Sequence, residues 1–361
     1  VTPAELSRAV LRSVRGAVED GELSVTVPER VVVRVPARGG GGGAADLACS
    51  VALQVAKEAG RPSREVAAML RERLAGVSGI AGVEIAGAGF LNVTLTGAAR
   101  AGLVWSVLAQ GREYGNTAGR GDGQEPGRGC GPVGLRAAAG VRAAVVAEAL
   151  ERILPAGGIT AKAEPRGEGS SPHSAVARGR TEEVAPHPVE SHPHSPHQDW
   201  RTLTARLGPD EARWVLLRVA QQDAVRLPER PVQRESNGRF RVQYAYARTC
   251  AMTRNARDLG FAAEPGDMGD GRAVREVWAA VAEYPGVVEA AARHRAPDRV
   301  ARHLEVTADA WLRCHDVCPP LPVGEEKPSA VHRARLALAE AAGTVLANGL
   351  HLLGISTPER L

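Results

Sequence analysis

Aromatic side chains are scarce, at 3% of the 361 residues, and lysine is almost missing, with three among 45 cationic residues. Cysteine is sparse and odd in number: Cys49, Cys130, Cys250, Cys314 and Cys318. Five scattered thiols exclude a disulfide framework and suit a reducing compartment, so a cytoplasmic location is expected. No run approaches the roughly 18 apolar residues of a membrane-crossing helix, so no membrane contact is expected. No charged stretch followed by an apolar run opens the chain, so no secretory signal is expected.

Against that background one stretch stands out. FRVQYAYARTC, residues 240–250, holds two tyrosines and two arginines within eight residues. It lies in a segment, Arg230 to Arg257, with seven arginines and one acid, although the whole chain carries a formal charge of only +4. On a helix, Arg241, Tyr244, Arg248, Met252 and Asn255 share one face. That face is too basic to be core. A tyrosine between two guanidiniums offers a π-face for a base and cations for the flanking phosphates, which is what a single-stranded RNA loop needs. The competing reading of Tyr244 is an ordinary tyrosine at the edge of a core.

The pattern divides the chain into four pieces. Residues 1–122 read as an α+β domain. They begin with an amphipathic helix (Leu6, Val10, Leu11, Val14) and a short strand at 31–35, followed by a flexible glycine loop at 39–43. Helices are predicted at 46–60 and 62–74, then two strands around the glycine turn 87–89. Residues 123–164 hold a glycine-rich loop and one helix, LRAAAGVRAAVVAEALERIL. Residues 165–199 are proline-, serine-, glycine- and histidine-rich, and read as a disordered linker. Residues 200–361 read as an all-α bundle, with one of its helices stopping before Pro285. The expected fold is thus an α+β domain plus a helical bundle, mainly α overall.

Several long segments resemble one family. RVQYAYARTCAMTRNARDLG is similar to the Gln-Tyr-Ala-His-Ala-Arg helix of arginyl-tRNA synthetases, and LGPDEARWVLLR to the Asp-Ala-Leu-Arg (DALR) segment that names their anticodon-binding domain. The ending RARLALAEAAGTVLANGLHLLGISTPERL resembles their C-terminus. DLACSVALQVAKEAGRPSREVAAMLRERL and VEIAGAGFLNVTL resemble their additional N-terminal domain. The resemblance covers about 1–115 and 205–361, in order. It implies tRNA as the partner, arginine-accepting or otherwise. Arg241, Tyr244, Arg248, Asn255 and the C-terminal Leu361 would lie on the anticodon side, and Phe90 and Asn92 at the tRNA corner. Phe90 has a competing reading as a strand core residue. Tyr246 stands where the family motif has histidine, which bears on anticodon selectivity.

The middle departs from the family. Both histidines of the class I His-Ile-Gly-His motif are missing from GPVGLRAAAGVRAAVVAEALERIL, with Pro132 and Gly134–Leu135 in their neighbourhood. Each βαβ unit takes about 30 residues. Between Arg128 and Trp200 the sequence offers one helix, at most one strand and the linker. From this follow the expectations of no parallel sheet, a vestigial catalytic core at 123–164, no catalytic residues and no enzyme. The chain would be a non-catalytic tRNA-binding paralogue or, alternatively, a partner of a full-length synthetase. No cofactor is expected. No metal is expected either at the histidines of 187–197, which prolines spread apart, or at Cys314 and Cys318, which lack a second ligand pair.

Overall fold

The structure, a computed structural model, describes residues 2–36, 45–116, 133–163, 180–187, 189, 199–230, 234 and 236–361. The expected glycine loop at 39–43, the glycine-rich loop before residue 133 and the histidines at 192–197 lie outside these. The chain forms two compact units. The first comprises Val1–Ala109, Asn255–Glu283 and Cys314–Ala341; the second comprises Gln110–Arg254, Tyr284–Arg313 and Ala342–Leu361. The division therefore runs through the long C-terminal helices.

In the first unit, α1 (Pro3–Glu19) starts at a reciprocal cap. The Thr2 hydroxyl accepts from the Glu5 amide and the Glu5 carboxylate accepts from the Thr2 amide. Its Leu6, Val10 and Val14 are fully buried. The sheet has four antiparallel strands in the order β1 (Val33–Arg34), β2 (Leu47–Cys49), β4 (Phe90–Leu95), β3 (Ile80–Ala86). The strand expected at 31–35 is present as β1, and β2, only three residues long and inside the expected helix, is the one that pattern reading misses. The helix expected to begin at 46 begins instead as α2 (Val51–Ala56), after β2 has paired with β4 through Leu47–Val93 and Cys49–Leu91. α3 (Ser63–Ala75) buries Val66, Ala67, Leu70 and Leu74. At the hairpin, Gly89 has φ +129°, and a Cβ there would meet the Ser63 carbonyl at 3.0 Å, so glycine is required twice over. α4 (Gly97–Gln110) follows β4.

The second unit corrects the middle of the chain. Residues 133–137 form a strand, β5, and the helix α5 starts only at Val141 and runs to Ala156. β6 (Ala161–Ala163) and β7 (Arg180–Val184) both pair parallel to β5, in the order β6-β5-β7. A parallel sheet does fit between 128 and 200, with strands of three to five residues and α5 between β5 and β6. β7 falls inside the stretch read as a disordered linker. It is an edge strand of sequence RTEEV in which, among the described side chains, only Val184 is buried, so its composition looks like surface. Beneath the sheet, α5 buries Val145, Val146, Leu150, Ile153 and Leu154.

The first helices after the sheet are α6 (Trp200–Leu207), α7 (Pro209–Arg218), α8 (Gly238–Asp258) and α9 (Arg272–His294). α9 does not stop before Pro285 but runs through it. Val281, Val288, Ala291 and Ala292 on either side are fully buried, and that burial outweighs the amide that proline lacks. α10 (Pro297–Val317) and α11 (Ala330–Leu353) complete the chain. α11 is long and apolar enough to cross a membrane by composition, but 72% of that stretch is buried within the protein. Its Gly343 lies against Thr249 of α8 and its Gly349 against Leu304 of α10, with no room for a Cβ at either place. These two glycines let α8 and α10 pack against α11.

Candidate nucleic-acid interface

α8 is the centre of the candidate site. Asn237 caps it by accepting from the Phe240 amide at 3.1 Å, while its own amide donates to the Glu211 carboxylate at 2.9 Å. The periodicity sorts the helix cleanly. Val242, Gln243, Ala245, Thr249 and Met252 are buried, and Tyr244 is 41% exposed. Tyr244 stacks on Phe240 with ring centres 6.1 Å apart and planes 15° from parallel. Arg248 is partly exposed one turn on, and among the described residues it forms no ion pair or hydrogen bond. The expected face therefore loses Met252 to the core. Asn255 is exposed further along the helix, in the part that belongs to the first unit.

Two structures flank the Tyr244–Arg248 stripe. On one side lies α10, joined through the Arg241 Nε–Asp309 Oδ1 ion pair at 2.8 Å. On the other lies the C-terminal tail. Gln243 Nε2 donates to the Ser356 carbonyl at 3.0 Å, and Arg254 Nη2 donates to the Glu359 carbonyl at 3.4 Å. The pin at Ser356 continues through Asp210, which accepts from the Ser356 amide and hydroxyl and from Gln243 Nε2. Leu361, two residues beyond Glu359, is 61% exposed.

The charge of the 230–257 segment is partly neutralised by acids distant in sequence. Arg239 pairs with Glu211 at 2.5 Å, Arg241 with Asp309, and Arg254 with Glu359 at 3.9 Å. Arg241 is thus a partnered cation rather than the open phosphate ligand its spacing suggests. Tyr246, two residues past Tyr244, points away from the exposed stripe. Burial first, then its hydrogen bond to Cys250, push its hydroxyl up to about 12.

In the first unit, Phe90 is 43% exposed at the start of β4, but Asn92 is 5% exposed. β4 lies between β2 and β3, with Asn92 opposite Ala48 and Glu84. Alternation assigns the two side chains the same face without showing that Asn92 is covered, so its expected surface contact is corrected. The Cys314 thiol, beside Cys318, is raised to about 12, chiefly by burial, which disfavours a thiolate ligand.

Arg142 is a structural residue that pattern reading misses. It is 2% exposed, and its guanidinium donates to the backbone carbonyls of Leu216, Val219, Ala220, Asp223 and His187 at 2.7–3.3 Å. Burial lowers its pKa. The side chain satisfies the open carbonyl end of α7 and ties it to the segment after β7.

The second unit thus combines a helical surface carrying the exposed Tyr244 and Arg248 with a small parallel α/β sheet. Residues 242–361 match the DALR anticodon binding domain, and residues 10–95 match the arginyl tRNA synthetase N terminal domain. The arginine–tRNA ligase of Frankia alni is 29% identical along the whole of both chains, and that of Paenarthrobacter aurescens is 41% identical over 45% of this chain and 30% of its own. In fold, the Thermus thermophilus arginyl-tRNA synthetase superposes with a TM-score of 0.65 at 13% identity, covering both chains fully. That of Plasmodium falciparum does so with 0.65 at 8%, covering 99% of each. The chain is thus similar to arginyl-tRNA synthetases along its length, with matches to their N-terminal and DALR domains.

These matches overturn the expectation that the chain is not an enzyme. Relatives aligned along its full length are named arginine–tRNA ligases, and the parallel sheet whose absence underlay that expectation is present. The alignment to the Frankia protein spans 562 positions for 361 residues here, so a long stretch of that relative has no counterpart in this chain.

Proposed function

We propose that this protein binds tRNA by its anticodon stem-loop, in the service of the arginine–tRNA ligation for which its relatives are named. The observation that carries this reading is the Tyr244–Arg248 stripe on α8, held between α10 and the pinned tail within the DALR-matched region. An exposed aromatic ring gives an unpaired base a stacking surface. The adjacent unpaired guanidinium gives the next phosphate a cation. Asn255 and Leu361 extend the same role at the far end of α8 and the end of the tail, and Phe90 serves the tRNA corner.

Titration with total tRNA across 0.05–0.2 M salt, values bracketing the range in which about six phosphate contacts change affinity by orders of magnitude, tests the binding. Attachment of labelled arginine in the presence of ATP tests the reaction. Binding that weakens steeply with salt is expected. Indifference to all tRNA at every salt concentration would overturn the reading. A response to a full-length synthetase instead of RNA would favour a protein partner.

A further inference from the structure

We infer that the RNA surface continues from α8 onto α10, where Arg299, Arg302 and Arg313 hold phosphates of the stem adjoining the loop; this rests on the tRNA-binding reading above. Two contacts fix how the helices align. Gly238 of α8 lies against Glu305 of α10, and Arg241 pairs with Asp309. Three residues on one helix match four on the other, so the two run side by side in the same direction. Continuing that register by one turn sets Tyr244 level with Arg313.

The exposed stripe of α10 is then basic. Arg302, Asp309 and Arg313 fall at i, i+7 and i+11, on one line, with Arg299 and half-exposed Val306 beside it. Two acids on this face are engaged, Glu305 with Arg218 at 2.8 Å and Asp309 with Arg241 at 2.8 Å, while Asp316, three residues past Arg313, is exposed at the end of the helix. Arg302 leans on buried Asp298 at 3.2 Å yet keeps half of its side chain in solvent. Arg299, Arg302 and Arg313 are all exposed. From Arg302 to Arg313 the helix advances about 16 Å, long enough to follow several phosphates of one strand. The face offers no exposed aromatic, so it suits a sugar–phosphate backbone rather than bases, and it adjoins the one stripe that does suit bases.

The experiment compares the full chain with R299A/R313A, R299K/R313K and R248A. Each is titrated with tRNA, with an anticodon stem-loop and with the isolated loop, over a salt series. Each lost phosphate contact lowers the slope of log affinity against log salt by about 0.7–0.9. R299A/R313A should therefore lower it by about 1.5 for tRNA and the stem-loop, and leave the isolated loop unchanged. The lysine variant should keep the slope, since a point charge suffices for a phosphate. An unchanged slope for R299A/R313A, with R248A still weakening all three ligands, would sink this inference and leave the tRNA-binding reading standing. Equal losses in the alanine and lysine variants would also sink it, because charge would not be the cause. A wild-type protein that binds no tRNA ends both.

Discussion

Gln243, 1% exposed on α8, holds the C-terminal tail by donating to the Ser356 carbonyl at 3.0 Å. The same amide donates to Asp210 Oδ2 at 2.9 Å, and its oxygen accepts from Arg239 Nη1 at 2.5 Å. One buried side chain thus joins the start of α7, the body of α8 and the tail. Gln243→Leu would keep the volume and remove these bonds, leaving Asp210 with Ser356 and Arg239 with Glu211 but the Ser356 carbonyl without its side-chain donor. Ser356 is exposed, so the loss is that of ordinary hydrogen bonds, about 0.5–1.5 kcal/mol each, and the tail should loosen before the bundle unfolds. Hydrogen exchange at 355–361 should rise sharply in Gln243→Leu while that of α11 stays protected. Unchanged tail protection would show that the pin is elsewhere.

Tyr244 supplies a ring, not a hydroxyl, to the proposed RNA contact. Tyr244→Phe should bind tRNA within about twofold of wild type, and Tyr244→Ala should lose about 1–3 kcal/mol, the worth of one stacked base. Because the ring is exposed, the melting temperature should hardly move in either variant. Fluorescence anisotropy with labelled tRNA separates the outcomes. Equal losses in the two variants would assign the effect to the hydroxyl instead.

The long helices were legible because they bury one face at helical spacing, although on α8 Met252 was expected on the basic face and is buried with Val242, Ala245 and Thr249. The parallel sheet was not. β6 has three residues and β7 carries three charges in five, so neither shows a strand pattern, and only pairing with β5 makes them strands. The stripe of Tyr244 and Arg248 was likewise readable from i, i+4 spacing. The partners that neutralise Arg239, Arg241 and Arg254 were not, since Glu211, Asp309 and Glu359 lie 28, 68 and 105 residues away in sequence. Spacing reports which side chains share a face of one helix, and says nothing of what a second helix brings to it.

Arg142 offers a sharper test of the central unit. Its guanidinium donates to five carbonyls, of which that of Ala220 also accepts from the Asp223 amide at 3.0 Å. Arg142→Met should remove all of these guanidinium bonds and destabilise the second unit by at least about 3 kcal/mol. Arg142→Lys should rescue little, because an ammonium has three donors on a single atom and cannot span the fork. Urea denaturation followed by near-ultraviolet circular dichroism reads both variants. A lysine variant as stable as wild type would mean that charge, rather than the carbonyl set, is what the site needs.

Burial sets the acid response of the first unit. Asp46 is 4% exposed and accepts from the Leu95 amide at 2.7 Å, with Arg100 Nη1 at 3.7 Å. Glu283 accepts from the Val35 amide at 3.2 Å. In both, desolvation exceeds the help from amide and arginine, and the pKa is raised. A carboxyl that holds its proton more tightly when folded makes the folded state bind more protons between its unfolded and folded pKa values. Stability from these two groups is therefore greatest below the ordinary carboxylate range, about pH 4, and falls as pH rises through the folded values. Glu283→Gln keeps an oxygen for the Val35 amide and removes the ionisation. The melting temperature of Glu283→Gln relative to wild type should climb from pH 4 upward and level off once wild-type Glu283 is fully ionised. A difference that is flat across that range, or that declines, would show that Glu283 is stabilised as the anion and that its arginine neighbour outweighs burial.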